Sequence, residues 1–518
     1  MLAVLRAGRN VVRLIEIAVI LARYDALFPL ERVVGLRFAV RSLGIVRRRD
    51  AALTQLRPGE RLAAALQAMG PSFIKLGQAL STRADLIGEA VATDLSSLQD
   101  RLPPFPASAA RAMVVAELGQ PVESLYRSFE DTPVAAASIA QVHLAVTYEG
   151  EEVAVKILRP GIAAAFARDL DLFLWLARII ERTQPALRRL KPVAVVDTLA
   201  ETVRQEMDLR FEAAGASELR ENFTDDPTFC VPRIDWLRTS EKVLTLERVS
   251  GIRVDDRAAL VAAGHDIHVV LANAASAFFN QVFRDGFFHA DLHPGNLFID
   301  GHGAIAVVDF GIMGRLDRKT RYYLADMLLA FLQGDYRRVA EVHFEAGYVP
   351  ARQSLDSFAQ ACRSIGEPIL GRPLHEISLG RLLAQLFQVT EQFQMETQPQ
   401  LLLLQKTMVL AEGVGRLLDP SVNMWALARP RIEAWMRDNR GPEARLRDMA
   451  ADTMSALERL PALMSDIQRL GGAITEGGGL PLHPDTVAEI AKRGAIDLLG
   501  LPLWIIALAL TAIAIALW

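Results

Sequence analysis

One stretch restricts the fold more than any other: residues 288–311 read FHADLHPGNLFIDGHGAIAVVDFG. Asp291 and Asn296 stand five residues apart, and Asp309-Phe310-Gly311 begins thirteen residues after the asparagine, at the end of an apolar run. Two short strand patterns, Leu297–Ile299 and Ala304–Val308, flank the turn sequence Asp300-Gly301-His302-Gly303. A zinc site is one account, because His289, Asp291 and His293 alternate as ligands on one strand face do. Pro294-Gly295 interrupts that pattern, and no cysteine or glutamate stands at a partner spacing. Phosphoryl transfer accounts for more of these residues. The transferred group carries spread negative charge that magnesium must bridge, and Asn296 and Asp309 supply the hard oxygen ligands magnesium prefers. Asp291 can orient an attacking hydroxyl or accept its proton. His289 and His293 are expected to hold the loop by hydrogen bonds.

The same order of features continues upstream. Val153-Ala154-Val155-Lys156 reads as a strand ending in a lysine for nucleotide phosphates, which needs a carboxylate partner on a following helix. Candidates in EMDLRFEAA are Glu206, Asp208 and Glu212; Asp208 and Glu212 are four apart and share a helical face, whereas Glu206 points elsewhere. Val142–Thr147 and Val153–Ile157 read as a hairpin, and Glu241–Val249 as a further strand. Residues 1–125 are mostly helical in pattern, with breaks at Arg57-Pro58-Gly59 and Pro103–Pro106, and helical spacing returns from about 317 to 470. A small β-rich lobe, a strand connector and a helical lobe predict a two-lobed α+β fold with a cleft between the lobes.

Three departures separate the pattern from an ordinary protein kinase. Where a glycine-rich loop would cover the phosphates, the chain has Pro133-Val134-Ala135-Ala136-Ala137-Ser138-Ile139-Ala140-Gln141. Alanine adds a Cβ that restricts positive φ and close backbone approach, so nucleotide pose or selectivity should differ. Ala290 stands where an arginine would bind an activation-loop phosphate, and no Ala-Pro-Glu follows Gly311. A platform for docking peptide substrates is therefore not expected.

At this point the chain resembles the UbiB family of atypical protein-kinase-like proteins, linked to ubiquinone biosynthesis. The residues that carry the likeness are Lys75-Leu76-Gly77-Gln78, the alanine-rich loop running into IAQVH, VAVK at 153–156, Glu206-Met207-Asp208, HADLHPGN at 289–296 and Asp309-Phe310-Gly311. The resemblance implies a protein-kinase-like fold with an N-terminal helical extension that places Lys75 and Gln78 over the cleft, with Lys75 near Glu206 or Asp208. It implies ATP and Mg²⁺ as cofactors, bound by residues 133–141, by Lys156 with Glu212 as its partner, and by Asn296 and Asp309. Asp291 takes the catalytic role. The family is associated with ATPase activity and with lipid or membrane interaction, so anionic membrane lipids, ubiquinone precursors and quinone-synthesis enzymes are the implied partners.

Composition bears on location. The net charge of −4 gives no support for nucleic-acid binding, and two distant cysteines, Cys230 and Cys362, exclude a disulfide framework. Residues 1–50 hold ten arginines against four acids, which suits an anionic membrane surface or, equally, a solvated helix face. Residues 498–518 carry no charge over 21 positions and follow Lys492 and Arg493. As a helix this stretch matches a hydrocarbon core of about 30 Å; a buried core helix is the competing account, and it seldom lacks a polar face. The expected organisation is a basic amphipathic surface segment at 1–35, a helical extension at 36–125, an N-lobe at 126–250, a helical C-lobe at 251–470, a linker at 471–497 and a C-terminal transmembrane helix at 498–518. Basic residues before that helix would keep the catalytic domain on the cytoplasmic side of a bacterial inner membrane. A soluble small-molecule phosphotransferase, or a non-catalytic scaffold gated by nucleotide, are the alternatives to a membrane-held kinase or ATPase.

Overall fold

The computed structural model describes residues 2–26, 56–81, 87–96, 98, 102–183, 192–368, 389, 392–395, 398–422 and 424–440. The chain divides into two compact units, Met1–Trp435, which carries the fold, and Met436–Trp518. The described helices are α1 (Leu2–Arg23), α2 (Pro58–Met69), α3 (Pro71–Ser81), α4 (Glu89–Ser96), α5 (Ala107–Leu118), α6 (Val122–Leu125), α7 (Ile162–Thr183), α8 (Pro192–Glu206) and α9 (Leu209–Asn222). They continue with α10 (Arg257–Ala262), α11 (Ile267–Phe279), α12 (Arg318–Leu332), α13 (Tyr336–Glu345), α14 (Leu355–Gly366), α15 (Pro399–Leu418) and α16 (Met424–Arg440). The strands are β1 (Tyr126–Phe129), β2 (Ala135–Ala136), β3 (Ala140–Thr147), β4 (Glu152–Leu158), β5 (Phe229–Cys230), β6 (Val243–Glu247), β7 (Ile252–Arg253), β8 (Phe287–His289), β9 (Leu297–Ile299), β10 (Ile305–Val307) and β11 (Met313–Arg315).

The N-lobe sheet runs β1-β3-β4-β6, with β2 added to β3, all pairs antiparallel. Period-two alternation along β4 decides the site. Val153, Val155 and Ile157 enter a core with Tyr126 and Val243, so Lys156 projects from the other face. Ala110 and Val114 of α5 are fully buried in that same core. Residues 107–118, grouped with the extension by sequence, therefore pack as part of the N-lobe. Their alternative would leave the core face of β4 uncovered.

Along α9 the buried positions are Leu209, Glu212, Ala213, Gly215, Ala216 and Leu219, a helical stripe that includes one carboxylate. Asp208 is not in the helix. Its backbone is extended (φ −119°, ψ 95°), and its side chain caps α9 by accepting from the Arg210 amide. The expectation that Asp208 and Glu212 share a helical face fails for that reason.

The C-lobe contributes a small sheet of order β5-β10-β9-β7 and a β8–β11 ribbon whose strands begin and follow the stretch 288–311. Met313 faces His289 and Gly314 faces Phe288 in that ribbon. A Cβ on Gly314 would lie 2.1 Å from the Phe288 ring, so only glycine fits there. In the extension, a Cβ on Gly77 would meet Leu98 Cδ1 at 2.5 Å and Leu66 Cδ1 at 2.7 Å, which shows how closely α3 packs on its neighbours.

On helix α1, two of the arginines counted in the basic end are engaged within the fold: Arg13 bonds Asp169 of α7 at 3.2 Å and lies over the Phe73 ring, and Arg9 bonds Asp171 at 3.3 Å. The exposed row on α1 includes Val12, Ile15 and Val19, more than half exposed. Among the described residues no helix is long and apolar enough to cross a membrane. The linker and the uncharged segment 498–518 lie outside the described residues.

Candidate active site

Strand β4 and helix α9 bring Lys156 and Glu212 together across the lobe. Lys156 Nζ lies 2.8 Å from Glu212 Oε1 and 2.9 Å from Oε2, and it also donates to Asp309 Oδ1 at 2.9 Å. The lysine and glutamate side chains are only 14% and 8% exposed, so this is a buried charge cluster. Burial opposes the lysine charge, but Asp309 and Glu212 outweigh it and raise the Lys156 pKa. Burial pushes the Glu212 carboxyl up, against the pull of Lys156 and a backbone hydrogen bond from Phe310. Asp309 has φ +65°, in the left-handed region that non-glycine residues seldom occupy, at a cost of about 1–3 kcal/mol.

Lys156 pulls the Asp309 carboxyl down from 3.8 to about 2, more than burial raises it. The side chain remains about half open to the cleft, so its attraction to Lys156 is partly screened by water. Because the carboxyl is depressed in the folded state, its stabilisation is present above the ordinary carboxylate range and is lost as pH falls toward 2. Acid unfolding of wild type and Asp309→Asn should therefore converge in that window. Curves that stay parallel below pH 4 would remove the ion pair from the account.

His289 joins Asp291 and Asp309. It is fully buried; its Nδ1 accepts from the Asp291 amide at 3.2 Å, and its Nε2 lies 2.9 Å from the Asp309 carbonyl. A ring nitrogen that accepts leaves the other to donate, so the imidazole is neutral with its proton on Nε2. Burial lowers its pKa in agreement. Its own amide donates to Gln281 Oε1 at 2.9 Å, from the π-helical turn Asn280–Asp285 ahead of β8. His293 Nδ1 accepts from Gly295 and caps the turn Pro294–Asn296. Asn296 Nδ2 donates to the Asp291 carbonyl at 3.1 Å and to Asp291 Oδ2 at 3.0 Å. Its side-chain oxygen is then the donor atom that remains for a cation. Together with an Asp309 held as carboxylate, this hard-oxygen set fits Mg²⁺, which takes one or two protein ligands and fills its shell with phosphate and water.

From the extension, Lys75 Nζ lies 3.0 Å from Glu206 Oε2, with both side chains nearly buried, and its charge also helps to keep Asp309 ionised. Gln78 follows on the same helix, α3. Of the two acids expected near Lys75, the ion pair is with Glu206. Asp208 instead pairs with Arg210 Nη2 at 2.7 Å, which lowers its pKa.

The alanine-rich loop turns between β2 and β3, with Ala135 opposite Val142 and Ala136 opposite Gln141. Val134 and Ala135 are exposed, Pro133, Ala136, Ala137 and Ile139 partly so, and Ser138 and Ala140 are buried. Gln141, expected against nucleotide, is fully buried with its amide spent on Phe105 and His143. Four contributors had no signal in the sequence: Gln281, Phe105, Arg159 and Thr407 of α15, whose hydroxyl lies 3.3 Å from the Ala290 carbonyl. Phe105, Arg159 and Thr407 act across 22 residues or more, where neither periodicity nor motif spacing applies, whereas Gln281 acts from eight residues ahead of His289.

A β-rich lobe with a lysine–glutamate pair, above a lobe whose loop and strand end present Asp291, Asn296 and Asp309, defines a kinase-like protein. A family model described as the ABC1 atypical kinase-like domain matches residues 97–343, and one described as the UbiB helical domain matches 362–423. A "Probable protein kinase UbiB" of Marinobacter nauticus is 44% identical over 413 residues, 79% of this chain and 76% of that protein. The protein of the same description from Xanthomonas axonopodis pv. citri is 43% identical over 484 residues, 91% of this chain and 84% of the other. A solved Mycobacterium tuberculosis protein in complex with erythromycin is 28% identical with a TM-score of 0.48, over 68% of this chain and 90% of that one. The chain belongs to the UbiB family of atypical kinase-like proteins.

Proposed function

We propose that this chain is a Mg-ATP-dependent atypical kinase or ATPase that supports ubiquinone biosynthesis at the cytoplasmic face of a bacterial inner membrane. The observation that carries the reading is the Lys156 ammonium held within 2.9 Å of both Glu212 and Asp309. A fixed cation beside a carboxylate metal ligand suits phosphate oxygens that share one Mg²⁺. Asp309 and Asn296 would hold the metal, which when bound neutralises charge on the phosphates. Lys156 would bind the α- and β-phosphates beneath the alanine-rich loop, and Asp291 would orient or deprotonate the attacking hydroxyl or water. The Lys75–Glu206 pair beside this cleft favours water or a small or lipid-like acceptor over a folded protein. The exposed Val12, Ile15 and Val19 and the uncharged stretch 498–518 support attachment to lipid.

The same Lys75–Glu206 pair favours one second reading, a scaffold that binds nucleotide as a conformational ligand without turning it over. An ATPase assay with and without anionic liposomes separates the two. Membrane-stimulated turnover that Asp309→Asn abolishes is the expected result. Nucleotide binding with no turnover on any membrane would leave the scaffold. Ubiquinone content in a deletion strain complemented with Asp309→Asn should stay low; normal content would remove the need for Mg-ATP.

A further inference from the structure

The nucleotide loop is tied down at its base. Residues 102–106 connect the helical extension to α5 and run beside the loop. Arg159, just past β4, donates to the Ala137 carbonyl from Nε at 3.1 Å and from Nη2 at 2.8 Å, and Nη2 also donates to the Pro103 carbonyl at 2.9 Å. The guanidinium carbon lies 5.6 Å from the centroid of the Phe105 ring. The Arg159 amide donates to the Ile139 carbonyl at 2.8 Å, so backbone and side chain hold the same turn.

Gln141 closes the other side. Its Oε1 accepts from the Phe105 amide at 3.0 Å, and its Nε2 donates back to the Phe105 carbonyl at 3.3 Å. The same Nε2 lies 2.8 Å from His143 Nε2, while His143 Nδ1 lies 2.7 Å from the Glu130 carbonyl. A carbonyl only accepts, so His143 donates from Nδ1 and accepts at Nε2, which fixes the amide orientation of Gln141. Both residues are fully buried. Leu98, which packs against Gly77 of α3, precedes residues 102–106 by four positions.

We propose that Arg159 and Gln141 are positioning residues that clasp the alanine-rich loop to residues 102–106, so that the helical extension carrying Lys75 sets how well the loop receives nucleotide. This rests on the nucleotide-binding reading above. A loop of alanines cannot wrap a phosphate by adopting positive φ. Its fit depends on being held in place beforehand, which lowers the ordering cost of binding. The clasp also links the loop to residues 102–106, which follow Leu98, the contact of α3, by four positions in the chain.

The test uses the full chain, Mg-ADP titration calorimetry, and hydrogen exchange at 102–106 and 133–141 without nucleotide. Arg159→Met should weaken Mg-ADP binding at least about fivefold and speed exchange in both segments. Arg159→Lys should restore little, because it keeps the charge but loses the fork. Gly77→Ala should weaken binding too, and the double variant should be no weaker than the worse single one. Where Gly77→Ala fails to fold, Leu98→Ala empties the same contact instead of crowding it. Effects that multiply would overturn the coupling to the extension. Unchanged affinity and exchange in Arg159→Met would overturn the clasp. A wild-type chain that binds no Mg-ADP would sink the nucleotide reading, and exchange would still decide the clasp.

Discussion

Lys156→Met is expected to abolish ATP turnover and to lower stability by about 3–5 kcal/mol, the usual cost of leaving a buried charge without its partner. Glu212 is 8% exposed and shares Lys156 with Asp309, so removing the ammonium leaves two carboxylates facing one another. Part of the cost can be avoided if Glu212 takes up a proton, which burial already favours. The double variant Lys156→Met/Glu212→Gln should therefore recover most of the stability, because it leaves no uncompensated charge in the N-lobe. It should recover no turnover, because the cation proposed to bind the phosphates is still missing. Denaturant midpoints and steady-state ATPase on the two variants separate the roles. A single variant as stable as wild type would mean the cluster does not hold the lobe together, and near-normal turnover would remove Lys156 from nucleotide binding.

The legible parts of this molecule are those with short-range signals. The strand pattern ending in Lys156 stands as β4, and the spacing of Asp291, Asn296 and Asp309 survives because one loop and one hairpin carry all three. The choice among Glu206, Asp208 and Glu212 needed the start of α9. An aspartate just ahead of a helical stripe is itself a capping signal, and reading it would have assigned Asp208 to the helix end. Arg9 and Arg13 looked solvent- or membrane-directed because their partners Asp171 and Asp169 lie over 150 residues away. Gln141 looked like a nucleotide contact because it ends the motif. Its partner Phe105 lies 36 residues upstream, beyond any local pattern. Turn chemistry and strand period are local physics, whereas pairings between distant elements depend on the packing of the finished fold.

His289→Leu is expected to cut kcat by about a hundredfold while nucleotide affinity changes little, as a small misplacement of reacting groups can do. His289 touches neither nucleotide phosphates nor acceptor in the proposed site. It bonds the Asp291 amide on one side and the Asp309 carbonyl on the other. Leucine keeps the bulk but leaves both backbone groups unpaired, at about 1–3 kcal/mol each. The Lys156–Glu212 pair is untouched, so the effect should fall on kcat and not on nucleotide affinity. His289→Asn offers an acceptor for the Asp291 amide alone and should lie between the two. There is also a pH signature. Burial keeps the folded His289 pKa below 6.5, so its stabilisation is present above that value and declines as pH falls, because the unfolded chain protonates first. His289→Leu removes this dependence, so the gap in stability between variant and wild type should narrow on acidification. A gap independent of pH would mean the histidine is not held neutral, and a loss of nucleotide affinity equal to the loss in kcat would mean that it shapes the nucleotide pocket instead of aligning the two aspartates.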